Sequence, residues 1–163
     1  MRKEIILNGG WIFHKGDIAE PVSQDKGFIY SQSKTERKLS GPAAYNYPDT
    51  PDSYGGRMIN PEKWVWTDLP HDYVVYQDND ENENCALGYL HYDNAWYRKH
   101  FNMPEGSENR RALLRFDGIA GKSTVYLNGC LMYHNFSAYN TFEIDITDYV
   151  YYDKENVIAV YVN

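Results

Sequence analysis

A chain of 163 residues suits one domain that can bury its own core and stand without covalent staples. Its formal charge of -7 and pI near 5.1 exclude a polyanion-binding role, which rests on clustered Lys and Arg set against phosphate. No apolar run nears the roughly 20 residues of a membrane helix, and the opening MRKEIILNGGW turns polar too soon for a signal peptide, so a cytoplasmic setting is expected, with neither nucleic acid nor membrane as partner.

The stretch from about 20 to 60, rich in Pro, Gly, Ser and Asp, reads as a long loop insertion. Its rings, Phe28, Tyr30, Tyr45, Tyr47 and Tyr54, can pack it onto the body or onto a neighbouring domain, and it should be the most protease-sensitive backbone. In WVWTDLPHDY a strand beginning at Trp64 must end at Pro70, which lacks a donor, leaving His71 and Asp72 at its exit. Trp64 and Trp66 share a face and are expected in the core. Asp72 can fix a turn or meet a ligand. The run DNDENEN, 78 to 84, reads as a solvated loop.

From Gly88, where the chain can bend, GYLHYDN leads into AWYRKHF, which sets Ala95, Tyr97, Lys99 and Phe101 against Trp96, Arg98 and His100. Arg98 and Lys99 are expected to be solvated or to guard a sheet edge. ALLRF alternates likewise, and STVYLNGCLMYH surrounds Asn128-Gly129, a type I′ hairpin dipeptide. TFEIDI has one dry and one wet face, and NVIAVYV, apolar nearly throughout, should be a strand covered on both sides. The expected fold is all-β, an antiparallel sandwich. Cys85 and Cys130 form no CxxC pair and are expected to be free, buried thiols. No metal spacing, phosphate loop or Ser/His/Asp grouping stands out, so no cofactor, metal site or catalytic residue is expected.

Five segments in order, LNGGWIFHKGD, NPEKWVWTDLPHDY, GYLHYDNAWYRKHF, LRFDGIAGKSTVYLNG and FEIDITDYV…NVIAVYVN, resemble the N-terminal sugar-binding domain of glycoside hydrolase family 2, which includes β-galactosidases, β-glucuronidases and β-mannosidases. The resemblance implies a jelly-roll-like sandwich ahead of an immunoglobulin-like domain and a (β/α)8 barrel, and hence a fragment of a larger enzyme whose catalytic glutamates lie elsewhere. It implies that Asp72, Tyr89, His91, Tyr92 and Asn94 form a sugar-binding rim for a β-galactoside-type glycan, with rings on the apolar sugar face and Asn and Asp on the hydroxyls. Asn82-Glu83 copies the family's acid/base dipeptide only superficially, and Ser137 and Ala138 stand where relatives often carry glycines. A free-standing carbohydrate-binding module, an adhesion module and a relative acting on β-glucuronides or β-mannosides are the competing readings; homo-oligomerisation stays open.

Overall fold

The computed structural model describes residues 3–18, 41–49 and 64–163. Eight strands follow in chain order: β1 Trp11–Lys15, β2 Val65–Thr67, β3 Ala95–Phe101, β4 Leu113–Phe116, β5 Ser123–Leu127, β6 Cys130–Asn135, β7 Phe142–Asp145 and β8 Asn156–Val162. Single 3-10 turns at Gly41–Ala43, Val74–Tyr76 and Cys85–Leu87 are the helical elements of the described residues. All pairings are antiparallel, in a large sheet ordered β2-β1-β3-β8-β5-β6 and a small one of β4 and β7.

The near-continuous apolar run 156–162 becomes the centre of the large sheet, where Val160 pairs with Tyr97 on one side and Val125 on the other. Ile158 and Val160 face inward with Val125 and Leu127, against Leu114, Phe142, Ile144 and Ile146 of the small sheet and its exit. Val125, Leu127 and Ile158 have no exposed surface, and each contributes about 1.5–3 kcal/mol by its burial. The small sheet alternates as its sequence does: Leu113, Arg115, Glu143 and Asp145 face solvent. There the Thr147 hydroxyl, helped by Arg111 at 2.7 Å, pulls the Asp145 carboxyl down to about 2.

Asn128 and Gly129 hold φ values of 52° and 84°, the left-handed pair of a type I′ turn, and join β5 to β6. Asn128 does more than turn the chain. Its Nδ2 donates to the Tyr149 carbonyl and to Asn156 Oδ1, and its Oδ1 accepts the Val157 N–H, which bolts the hairpin to the entrance of β8.

Several expectations about single residues are corrected. Arg98 is neither solvated nor at an edge: β3 runs between β1 and β8, and Arg98 is 0% exposed, its Nε on Asp49 and its Nη1 on the carbonyls of Pro42 and Ala44. Lys99, on the opposite face, donates to the carbonyls of Gly9 and Gly10. Trp64 is buried with Ile12 and Ile18, but Trp66 is 62% exposed, because β2 is a three-residue edge strand with nothing among the described residues packed over it at that point. Neither cysteine forms a disulfide, yet neither is buried: Cys85 is exposed, since it sits in a loop turn and not in a strand, and Cys130 is half-buried. Of the expected insertion at 20–60, only 41–49 lies within the described residues.

Candidate functional site

The connection from β2 to β3 crosses one end of the sandwich and is fixed from below by rings. Phe13 of β1 is surrounded by His71, Tyr73 and Tyr97, at centroid distances of 4.7, 5.5 and 5.0 Å. Burial, with Tyr73 and Asp72 adding to it, pushes the Tyr97 phenol well above its usual range, so it stays protonated in its 3.0 Å hydrogen bond with His71 Nδ1. Burial also lowers the His71 pKa, against the pull of Asp72, which favours the neutral ring.

Tyr73 ties the two ends of this connection together. Its hydroxyl donates to the Asp93 carbonyl at 2.6 Å and accepts the Asp93 N–H at 2.9 Å. Tyr73→Phe keeps the ring against Phe13 and strips both bonds, so urea unfolding should show a loss of about 1–2 kcal/mol. An unchanged midpoint would mean that the loop is held by its other braces alone. Those braces include Lys15 on Gln77 Oε1 at 2.8 Å, Gln77 on the His91 carbonyl at 3.0 Å, and Asn79 on the Gly88 carbonyl at 2.7 Å.

Asp72, Tyr92 and Asn94 are among the residues lining one broad open groove of about 2020 Å3 between the large and small sheets, as are Asp93 and Asn163. Asp72 Oδ1 accepts the Val74 N–H at 3.0 Å, the turn-fixing role its sequence position allows. Asn94 donates to both oxygens of Asp17, at 3.0 and 2.9 Å, and accepts from Asn163 Nδ2 at 2.8 Å. Tyr161 also donates to Asp17, at 2.9 Å; burial, then that contact, raises its phenol pKa and keeps it a donor. Gly121 closes the rim, because at its φ of 79° a Cβ would lie 2.5 Å from the Asn163 carbonyl oxygen. The Tyr92 ring is 53% exposed beside these groups, so the groove offers an aromatic face next to carboxylate and amide groups.

Tyr89 and His91 lie off the groove. Gly88 and Tyr89, with φ of 70° and 59°, turn the backbone away. His91 Nδ1 meets Glu83 at 2.7 Å, and its Nε2 is 3.6 Å from Asp93. Glu83 is therefore a partner of a surface histidine in an exposed turn. Among the described residues no group of three or more His, Cys, Asp or Glu side chains could hold a metal ion, and no helix is long and apolar enough to cross a membrane. Asn135-Phe136-Ser137 matches the N-glycosylation pattern, but in the folded chain Asn135 is 3% exposed and its Nδ2 donates to the Ser137 carbonyl.

Tyr73, Asp17 and Asn163 are the parts of this arrangement that sequence reasoning misses. The alternation of a strand marks which side chains share a face, but Asp17 and Asn163 reach Asn94 across 77 and 69 residues of chain, from ends that carry no periodic signal.

The family profile described as glycosyl hydrolase 2 galactose-binding domain-like matches residues 62–163. A β-glucuronidase of Formosa agariphila is 29% identical over 112 residues, covering 64% of this chain and 11% of that protein. A β-galactosidase of Bacteroides ovatus is 33% identical over 102 residues, covering 61% of this chain and 12% of that protein. Among solved structures, a β-glycosidase from Bacteroides vulgatus superposes with a TM-score of 0.67 at 25% identity, over 94% of this chain and 16% of that one. The chain thus spans 11% and 12% of the length of these two curated relatives. The profile match takes in β2 to β8, the groove residues Asp72, Tyr92 and Asn94, and most of the core, and the chain belongs to the glycosyl hydrolase 2 galactose-binding domain-like family.

Proposed function

We propose that this chain, as one sugar-binding sandwich over 1–163 with an insertion at about 20–60, is the N-terminal domain of a family 2 glycoside hydrolase of β-galactosidase type. In this reading it lends a rim to a substrate pocket that an immunoglobulin-like domain and a (β/α)8 barrel complete. The observation that carries it is the groove: Asp72, Tyr92 and Asn94 share it, in a chain matched to a galactose-binding domain-like family. Tyr92 can stack on the apolar face of a pyranose, while the Asp72 carboxylate and the remaining lone pair of the Asn94 amide oxygen accept from its hydroxyls. Tyr89 and His91 shape the loop from behind and are the weaker candidates. Asp72 and Asp93 on the same groove disfavour a uronate, so the neutral β-galactoside is preferred; the resemblance to a relative named β-glucuronidase supports the competing uronide.

Hydrolysis with retention needs an acid and a nucleophilic carboxylate about 5–5.5 Å apart across the glycosidic bond. Three acids at the rim already accept hydrogen bonds: Asp72 from Val74, Asp93 from the Asn94 N–H, and Asp17 from Asn94 and Tyr161. The purified chain is therefore expected to bind galactose only at about millimolar strength or worse by calorimetry, because one rim supplies few contacts against the freedom lost on binding. It should not turn over a chromogenic β-galactoside. The gene beyond Asn163 should encode a barrel with paired glutamates, and the full-length product should be active, with Asp72→Ala raising KM. Micromolar affinity of the chain alone would assign an autonomous binding module, and turnover abolished by Glu83→Gln would overturn the proposal.

A further inference from the structure

On the outer face of the large sheet, β3 places His100 between two carboxylates. Its Nε2 lies 2.9 Å from Asp49 Oδ2 and its Nδ1 2.8 Å from Glu155 Oε2. A carboxylate only accepts, and a neutral imidazole has one N–H, so both contacts are hydrogen bonds only when both ring nitrogens carry protons. The two acids come from separate parts of the chain: Asp49 ends the described 41–49 segment, and Glu155 immediately precedes β8. Asp49 is nearly enclosed, its side chain 4% exposed, while His100 at 34% and Glu155 at 51% remain open to proton exchange with solvent.

The surroundings are mixed in charge. From the 41–49 segment come Asp49 and Tyr45, whose hydroxyl donates to the Glu155 carbonyl at 2.9 Å, and Tyr47, whose ring lies 5.6 Å from the Arg98 guanidinium. From the approach to β8 come Glu155 and Lys154, the latter over the rings of Tyr45 and Tyr151 at 5.3 and 3.8 Å. From β3 itself comes Arg98, which shares Asp49 with His100. Arg98 stays charged across the working range of a histidine, so its hold on the Pro42 and Ala44 carbonyls does not titrate with the ring.

We propose that His100 is a proton-operated latch: as the imidazolium it pins the 41–49 segment to the sheet through Asp49 and to the approach of β8 through Glu155, and on losing a proton it releases one of the two. The inference is independent of the sugar-binding reading. The direction follows from the same contacts. The Asp49 hydrogen bond, with Glu155 adding to it, holds His100 above the ordinary histidine value despite burial. Burial works to raise Asp49, but the His100 hydrogen bond and the Arg98 charge outweigh it and leave the carboxyl below its ordinary value. A raised histidine contributes its stability fully below the unfolded value of about 6.5 and loses it as pH rises through the folded value; a depressed carboxyl loses its share only as pH falls through its own. The latch is closed between the two and opens on the alkaline side.

Hydrogen–deuterium exchange on the 163-residue chain, corrected for intrinsic rates, tests this at about pH 6 and about pH 9. Protection of 41–49, or of the 151–155 approach to β8 if Glu155 is the partner released, is expected to fall about tenfold or more between the two, with β8 itself changing less than about twofold. His100→Gln is expected to give the low protection at both pH values. Should that variant not fold, nitrogen-15 NMR of the wild-type ring serves instead, and is expected to find both His100 nitrogens protonated at about pH 7. Protection of both 41–49 and 151–155 independent of pH in the wild type, or a neutral His100 ring at about pH 6, overturns the proposal.

Discussion

Replacing Arg98 with alanine is expected to destabilise the fold by about 3–5 kcal/mol in urea unfolding at neutral pH. The side chain is 0% exposed and sits mid-strand between β1 and β8. Its removal orphans the carbonyl of Pro42, deprives that of Ala44 of its guanidinium donor, and leaves the Asp49 carboxylate, 3% exposed, with His100 as its remaining cation among the described residues. An uncompensated buried charge is costly, whereas a buried ion pair gains little over well-packed apolar groups. The double variant Arg98→Met, Asp49→Leu should therefore recover most of the loss, and Asp49→Asn, which still accepts from Arg98, should cost less than Arg98→Ala. Equal losses in the single and double variants would show that volume and not charge sets the stability here.

The same site shows where the sequence was legible and where it was not. Alternation in AWYRKHF correctly puts Trp96, Arg98 and His100 on one face and Tyr97 and Phe101 on the other, because in a strand the face is decided locally. Which face is covered is a tertiary fact. The cover for Arg98 comes from 41–49, in a stretch with no period to read, and its counter-ion is 49 residues away. A cation between two rings on a seven-residue strand was the available signal, and an edge strand was the wrong way to resolve it. Trp66 failed for the converse reason: its type says core, but β2 ends the sheet and leaves it open.

For the candidate site the division is similar. Pro70 and Gly88 correctly bracket an irregular connection between β2 and β3, since both act through their own backbone. The convergence of Asp72, Tyr92 and Asn94 on one groove depends on how that connection is strapped down, chiefly by Tyr73 on Asp93 and by Asp17 on Asn94. His91 and Tyr89, neighbours of these in sequence, are turned elsewhere by two successive left-handed residues. Proximity in a loop therefore does not sort which of its members face the groove.

Asn128→Ala is expected to cost about 3–4 kcal/mol, the larger part from hydrogen bonds and not from the turn. At a φ of 52° alanine pays roughly 1 kcal/mol for the left-handed conformation. Beyond that, the Val157 N–H loses its acceptor at 2.9 Å, the Tyr149 carbonyl its donor at 2.8 Å, and Asn156 Oδ1 one of two donors, the other being the Tyr151 N–H at 2.7 Å. These groups lie where Asn156, 0% exposed, starts the central strand, so water cannot readily replace the amide. Asn128→Gly separates the two causes, since glycine takes the turn without strain but restores none of the three bonds. It should regain about 1 kcal/mol over alanine and remain about 2–3 kcal/mol below the wild type, roughly 4–12 °C in Tm for a chain of this size. A glycine variant as stable as the wild type would reduce Asn128 to a turn residue and leave β8 to be anchored by its ladder bonds alone.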